Sequence, residues 1–184
     1  MWKGIFSSIF HFIFSPKKAW TLKRDEDHPV FLNQFLYPVF GLIALATFVG
    51  GMRFLEKSDI QWALKQTIAV VTALFSGFYA TSYLLNELFP KFGITKNLET
   101  AQRFIGYSSV VPYLLFFVTP LLPQFSIIWL AAIYIVFVVY IGTDVYLGVS
   151  GNKRIGFTVI ASLLIVMVPA LVQLLLEFLI IQSV

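Results

Sequence analysis

The chain has 184 residues, of which 59% are hydrophobic and 12% charged, and its mean hydropathy is +0.86. This composition excludes a water-soluble protein. The absence of cysteine excludes disulfides, a thiolate metal site and a cysteine nucleophile. The net charge of +4 is explained by basic residues that face an anionic membrane surface, so nucleic acid is not an expected partner.

Residues 1–29 are predicted to form a cytoplasmic, amphipathic segment ahead of the membrane domain. At 100° per residue, the apolar side chains between Trp2 and Phe14 share one broad arc, opposite serine and histidine. Such a helix is long enough to lie at the membrane interface and too short to cross the bilayer. Two interpretations stay open: a membrane-sensing or anchoring helix, and a helix packed along the inner surface of its own bundle.

Five apolar runs follow, and each is close to or longer than the about 20 residues that cross a hydrocarbon core. They occupy residues 30–52, 63–89, 104–122, 125–147 and 156–180. The predicted fold is therefore an all-α, polytopic membrane bundle of five transmembrane helices, forming one domain over residues 30–184. Five spans do not divide into two equal inverted halves, which argues against the commonest transporter architecture.

Lysine and arginine are distributed unevenly over the alternate loops between these runs. Ten lie on the side of the N-terminus: Lys3, Lys17, Lys18, Lys23, Arg24, Lys91, Lys96, Arg103, Lys153 and Arg154. Three lie on the opposite side: Arg53, Lys57 and Lys65. Because basic loops stay in the cytoplasm, we expect a cytoplasmic N-terminus and a C-terminus outside.

Small residues recur every four positions in the second run, at Ala69, Ala73, Gly77 and Thr81. Helices associate in lipid through close backbone approach, so this stripe is predicted to be a helix-packing face. The sequence leaves open whether it faces another span or another subunit.

Ionisable residues lie at the cytoplasmic ends of the runs and leave their centres free. Glu87, next to Asn86, falls near the end of the second run, Asp144 near the end of the fourth, and Arg103 at the start of the third. At matching depth, these residues are predicted to form a cytoplasmic-face polar cluster. It is either a stabilising network or a polar site for a lipid headgroup, an ion or a partner loop.

Motifs of enzymes do not occur in the sequence. The histidines are His11 and His28, both in the N-terminal segment, and no zinc-protease motif, nucleophile elbow or phosphate-binding glycine loop is found. We therefore expect no catalytic residues, no metal and no cofactor.

The third run opens with residues 106–113, Gly-Tyr-Ser-Ser-Val-Val-Pro-Tyr. This resembles the Gly-Tyr-Ser and Pro-Tyr stretch of the Ypt-interacting (Yip) family of five-span membrane proteins. Residues 36–38, Leu-Tyr-Pro, are similar to part of that family's Asp-Leu-Tyr-Gly-Pro motif, without its Asp and Gly. Residues 16–20, Pro-Lys-Lys-Ala-Trp, are similar to the opening of bacterial members. The family-like motif residues are Gly106, Tyr107, Ser108, Pro112 and Tyr113.

Eukaryotic members of the Yip family bind Rab-type GTPases and each other in vesicle traffic, through a long cytosolic N-terminal region. Only about 29 residues precede the first run here, which disfavours Rab binding. The resemblance implies a short prokaryotic member in an inner (cytoplasmic) membrane.

We expect a non-enzymatic integral membrane protein that organises the membrane or acts as an interaction scaffold through its cytoplasmic face. Its expected partners are the lipid bilayer and other membrane proteins or copies of itself. The alternative is a small transporter, channel or lipid-translocating protein whose polar path starts at the cytoplasmic cluster.

Overall fold

The structure, a computed structural model, describes residues 2–54 and 60–181. Lys57, counted above among the outer basic residues, lies outside these ranges. Within them, the regular secondary structure is helical and contains no β-strand. The prediction of an all-α chain is confirmed for the described residues.

By length and composition, three helices in the described ranges are able to cross a membrane. The first consists of α3 (His28–Phe31), a π-helical stretch (Leu32–Leu36) and α4 (Tyr37–Phe54). The second consists of α5 (Ile60–Leu88) and a 3-10 turn (Phe89–Phe92). The third is α9 (Asn152–Ile181). They correspond to the first, second and fifth predicted runs, and confirm those three as single apolar helices.

The third predicted run, residues 104–122, forms two consecutive helices instead of one. The first, α6 (Leu98–Ser108), begins six residues before the run. It starts there because the side chain of Asn97 accepts a hydrogen bond of 2.9 Å from the amide of Thr100, which caps the helix. The second helix, α7 (Val110–Val118), follows directly.

The junction between α6 and α7 lies at Ser109. Its amide donates to the carbonyl of Ile105 over 3.0 Å, and its carbonyl accepts from the amide of Tyr113 over 2.9 Å. Pro112 has no amide hydrogen for the carbonyl of Ser108, which is one reason for the irregularity here. Because backbone hydrogen bonds continue on both sides of Ser109, the two helices form one path through the bundle.

The fourth predicted run, residues 125–147, is helical along most of its length but changes type. A 3-10 helix covers Pro123–Ile133, and α8 covers Tyr134–Val145. Eleven residues is long for a 3-10 helix, since its eclipsed side chains and poorer hydrogen bonds favour short pieces. The run is therefore a composite of two helix types.

The N-terminal segment folds as α1 (Trp2–Phe14) and α2 (Pro16–Leu22) against the bundle. Ile5 and Phe12 of α1 are each 1% exposed, and the hydroxyl of Tyr134 donates to the carbonyl of Ile13 over 2.8 Å. The face of α1 that carries Ile5 and Phe12 therefore packs along the bundle, which is one of the two interpretations of this helix. The opposite face, with Phe6, Phe10 and Phe14, is apolar and exposed.

The stripe of small residues on α5 lies inside the chain. Ala69, Ala73 and Thr81 are buried, and a Cβ atom added at Gly77 would lie 2.9 Å from the Cα of Pro169. Because Pro169 belongs to α9, the stripe gives α9 the close approach that association in lipid requires.

Aromatic side chains fill the core near the N-terminal segment. Trp20 lies at their centre, with its ring centroid 5.0 Å from that of Phe12, 5.2 Å from Phe104 and 5.1 Å from Tyr146. Trp20 and Phe104 are 0% exposed. The aromatic core joins α1 and α2 to α3, α6, α9 and the end of α8. It is defined here as Phe12, Trp20, Phe31, Phe104, Tyr107, Tyr146 and Phe157.

Candidate functional site

A polar cluster forms where the N-terminal segment meets α6, and we name it the Glu26 cluster: Lys23, Glu26, Arg103 and Tyr107. The ammonium of Lys23 lies 2.6 Å from Oε1 of Glu26, and the hydroxyl of Tyr107 donates to Oε2 of the same carboxylate. The guanidinium Nη1 of Arg103 donates to the backbone carbonyl of Glu26. One residue of the segment therefore receives hydrogen bonds from three side chains.

The Glu26 cluster is partly shielded from solvent and carries a net positive charge. The side chains of Lys23 and Glu26 are 20% and 15% exposed, so their attraction is screened less than at an open surface. The ammonium of Lys23 also lies 5.1 Å from the ring centroid of Tyr107, a cation–π distance. Lys23 and Arg103 carry two positive charges and Glu26 carries one negative charge, so the cluster has one positive charge in excess.

A second polar contact fastens the start of α3 to α6 beside this cluster. Nε2 of His28 lies 2.5 Å from Oε1 of Gln102, and Gln102 is only 6% exposed. A buried amide without a partner is costly, so this bond accounts for a glutamine in the core. Together the contacts at Glu26 and His28 hold the whole connection from α2 to α3 on α6.

The four residues predicted to form the cytoplasmic-face cluster do not form one network. Glu87 pairs with Lys96, in a pair whose side chains are 45% and 49% exposed. Asp144 pairs with Arg154 at 3.2 Å. Arg103 bonds Glu26, and Oδ1 of Asn86 is buried without a hydrogen-bond partner.

Arg154, at the start of α9, ties that helix to the end of α8. Besides pairing with Asp144, its guanidinium donates twice to the carbonyl of Tyr140, over 3.1 and 3.0 Å, and lies 3.6 Å from the Tyr140 ring centroid. Arg154 therefore fastens the turn between α8 and α9, as the Glu26 cluster fastens the N-terminal segment to α6.

The family-like motif lies along α6 and α7, and its residues serve different contacts. A Cβ atom at Gly106 would overlap the ring of Phe31, so glycine here admits a buried aromatic side chain. Tyr107 belongs to the Glu26 cluster, while Ser108 is 0% exposed and its hydroxyl has no hydrogen-bond partner. Pro112 and Tyr113 line an apolar pocket between α5, α7 and α9.

Sequence reasoning missed Lys23, Glu26, His28 and Gln102 as members of a site. Glu26 stands between Asp25 and Asp27, which are exposed, and nothing in that acidic run singles out its middle residue. His28 and Gln102 are 74 positions apart, so no local pattern joins them. The only available signal was Tyr107, through its place in the family-like motif.

The chemistry of this site is positioning and binding through charge-assisted hydrogen bonds. Among the described residues, no group of three or more His, Cys, Asp or Glu side chains is arranged to hold a metal ion. The arrangement has one carboxylate held by a lysine and a tyrosine, and an arginine whose buried Nε has no partner.

The long apolar helices and the polar contacts at their ends define an integral membrane protein with a helical fold. A family profile described as the Yip1 domain matches residues 10–173, most of the chain. The protein therefore belongs to the Yip1 domain family, which confirms the resemblance seen in its motifs. Comparisons with curated proteins and with solved structures found no match.

Proposed function

We propose that this Yip1-domain protein is a non-enzymatic scaffold that crosses a prokaryotic inner membrane five times and binds other membrane proteins, or copies of itself, at its cytoplasmic face. Its N-terminus lies in the cytoplasm and its C-terminus outside. Support comes from helix lengths, from charge distribution and from the way the polar groups are arranged around the core.

The lengths of the third and fourth helical paths support five crossings. The 11 residues of α6, Ser109 and the 9 residues of α7 rise by about 31 Å at 1.5 Å per residue. The 11 residues of 3-10 helix rise by about 22 Å, and the 12 residues of α8 add about 18 Å. Each path is at least as long as the about 30 Å hydrocarbon core, although neither is one regular helix.

The orientation follows from the basic residues. The side that holds the N-terminus carries ten lysines and arginines, and the other side carries three. Several of the ten lie on exposed positions of the structure, including Lys17, Lys18, Lys91 and Lys153. Such residues are attracted to an anionic inner leaflet by about 1 kcal/mol each.

The observation that carries the scaffold proposal is the contrast between an exposed charged rim and a filled core. Glu87, Lys96 and Asp144 keep between 45% and 49% of their side chains exposed. In contrast, Trp20 and Tyr107 of the aromatic core are fully buried. A scaffold needs accessible groups on a firm support, whereas a transporter needs a polar path between its helices.

The topology is testable with single cysteines, because the chain has none of its own. Lys17→Cys, Lys91→Cys and Lys153→Cys are expected to react with a membrane-impermeant maleimide only after the cytoplasmic face is opened. Arg53→Cys, at an exposed position assigned to the outer side, is the matched control and is expected to react in intact cells. Labelling of Lys91→Cys in intact cells would overturn the proposed orientation.

Partner binding is testable with a photo-crosslinking amino acid placed at Lys91. In native membranes we expect it to capture the same protein, or a second copy of this chain, in repeated experiments. Val159, an exposed apolar residue of α9, is the control position and is expected to capture lipid. A scaffold that captures no protein at Lys91 or at Lys17 is not supported.

The transporter alternative is tested by the same purified protein in proteoliposomes. A transporter with its entrance at the rim would lose flux in Glu87→Gln or Asp144→Asn while retaining its fold. We expect no flux of ions, solutes or lipid above that of protein-free liposomes. Flux that depends on either acid would replace the scaffold proposal.

A further inference from the structure

An open cleft between α2 and α8 has both basic and apolar side chains in its walls. Its volume is about 520 Å³, within the range of about 300–1,000 Å³ of small-molecule sites. Lys17 and Lys18 contribute to it from α2, and Phe137 and Ile141 contribute from α8. None of the described residues that line the cleft is Asp or Glu. A molecule that joins a negative charge to a hydrocarbon chain would complement both kinds of wall.

The two lysines of the cleft are exposed, and within the described part of the chain no acidic side chain neutralises them. The three ion pairs there involve other cations: Lys23, Lys96 and Arg154. Asp144 is the one acidic residue in the sequence of α8, and it pairs with Arg154. The charges of Lys17 and Lys18 are therefore available to an anion from outside the chain. A lysine ammonium sits on a flexible four-carbon stem, so both are able to reach one phosphate group.

A buried contact fixes the lysines beside the apolar wall of the cleft. Trp20, two positions after Lys18, is 0% exposed, and its Nε1 donates to the carbonyl of Val138 over 3.0 Å. Val138 follows Phe137 directly in α8. This hydrogen bond holds α2 across α8 at the level of Phe137. The basic and apolar walls are therefore already in place before a ligand binds, which lowers the entropy lost on binding.

Apolar side chains continue from the cleft along one face of the fourth helical path. Ile133, at the end of the 3-10 helix, and Phe137 and Ile141 of α8 follow each other at intervals of four residues, the spacing of neighbours on one helix face. Ile133 and Phe137 are 71% and 48% exposed. From Ile141 to Ile133 the helix rises by about 12 Å. An acyl chain that leaves the cleft therefore has an exposed apolar surface to lie against.

We propose that this cleft binds a phospholipid with a net negative charge, with its phosphate beside Lys17 and Lys18 and one acyl chain along Phe137 and Ile133. Lysine binds phosphate as a point charge, and two unpaired lysines favour an anionic lipid over a zwitterionic one, whose own cationic group they repel. A free phosphate ester lacks the hydrocarbon that the apolar wall would remove from water. This site goes beyond the proposed scaffold function and does not depend on it.

The test uses the purified full-length protein in detergent and a phosphatidylglycerol that carries a photoreactive diazirine in one acyl chain. We expect saturable labelling that maps by mass spectrometry to peptides containing Phe137. Unlabelled phosphatidylglycerol is expected to compete about tenfold better than phosphatidylcholine with the same chains, and its deacylated headgroup is expected not to compete. Equal competition by phosphatidylcholine, equal competition by the deacylated headgroup, or labelling confined to other helices would each overturn the proposal.

Two double variants separate a defined site from general attraction to anionic lipid. Lys17→Gln with Lys18→Gln is expected to weaken phosphatidylglycerol binding by about 10- to 30-fold, the effect of two lysines near an anionic lipid. Lys91→Gln with Lys153→Gln is the matched control, because it removes the same charge from exposed lysines outside the cleft, and it should leave binding unchanged. If both double variants lose the same affinity, the attraction is not specific to the cleft and the assignment is wrong.

Discussion

The indole of Trp20 lies directly over Gly142 of α8. Its Nε1 donates to the carbonyl of Val138 over 3.0 Å, and a Cβ atom added at Gly142 would lie 2.5 Å from Cε2 of the ring. Trp20 is 0% exposed, so the ring has no room to retreat into solvent. The absence of a side chain at Gly142 therefore allows Trp20 of the N-terminal segment to pack against α8.

Gly142→Ala is expected to destabilise the protein. The new methyl group would displace a buried indole and stretch its hydrogen bond, and overpacking of this kind costs roughly 1–3 kcal/mol. The free energy of unfolding in detergent, followed by circular dichroism, measures the loss. Near-ultraviolet circular dichroism should change as well, because it reports the packing of aromatic rings.

Gly41→Ala is the control for this substitution. Gly41 also lies in a helix, α4, but a Cβ atom there would meet nothing within 4 Å. Alanine should be neutral or slightly stabilising at that position, since it favours helix by about 1 kcal/mol over glycine. If both variants lose the same stability, the contact between Trp20 and Gly142 is not the cause.

Glu26→Gln and Tyr107→Phe are each expected to loosen the connection between the N-terminal segment and α6. Each removes a charge-assisted hydrogen bond from a partly buried site, which costs about 1.5–3 kcal/mol. Because the two residues bond each other, the double variant should lose less than the sum of the single losses. Hydrogen exchange of the α2 amides measures the release of the segment.

Tyr83→Phe provides the comparison for the loss of a phenolic hydroxyl. Tyr83 is 60% exposed on α5, so its substitution should leave both stability and exchange at α2 unchanged. Strictly additive losses for Glu26→Gln and Tyr107→Phe would show that the hydrogen bond between them does not hold the segment.

The exposed face of α1 is expected to contact the hydrocarbon of the bilayer. Phe6, Phe10 and Phe14 follow each other at intervals of four residues and are 62%, 62% and 67% exposed, while Ile5 and Phe12 face the bundle. A nitroxide attached at Phe10→Cys should therefore collide often with oxygen and rarely with a water-soluble nickel complex. Electron paramagnetic resonance in liposomes measures both collision rates.

Lys18→Cys supplies the aqueous reference for this measurement. Lys18 is exposed on α2 and charged, so a nitroxide there should favour the nickel complex. If the label at Phe10 behaves like the one at Lys18, α1 lies in water, and its aromatic face needs a protein partner instead of lipid.

The start of the third helical path shows where prediction from sequence stops. The apolar run begins at residue 104, but α6 begins at Leu98, because Glu99, Gln102 and Arg103 lower the local hydropathy without preventing helix formation. Gln102 bonds His28 and Arg103 bonds Glu26, and both partners lie far away in the chain. Hydropathy along the sequence does not show that a polar residue is buried inside the bundle when its hydrogen-bond partner comes from a distant segment.

The residues predicted to form the cytoplasmic-face polar cluster show the same limit. Their positions at the ends of the apolar runs were predictable from the sequence, but their partners were not. Glu87 pairs with a lysine nine residues away and Asp144 with an arginine ten residues away, both across a turn. Two acids and an arginine near the same ends of their helices do not have to contact each other. The rotation of each helix about its axis determines which way a side chain points, and packing determines that rotation.

The sequence by itself determined that this is a helical, integral membrane protein, because hydrophobicity and helix length are properties of consecutive residues. Its short motifs also led to the Yip1 domain family. Only the tertiary structure decided that the N-terminal segment seats Trp20 on Gly142 and places Glu26 against Tyr107. Those contacts join residues 122 and 81 positions apart, and they depend on how the helices rotate and pack, which no local pattern encodes.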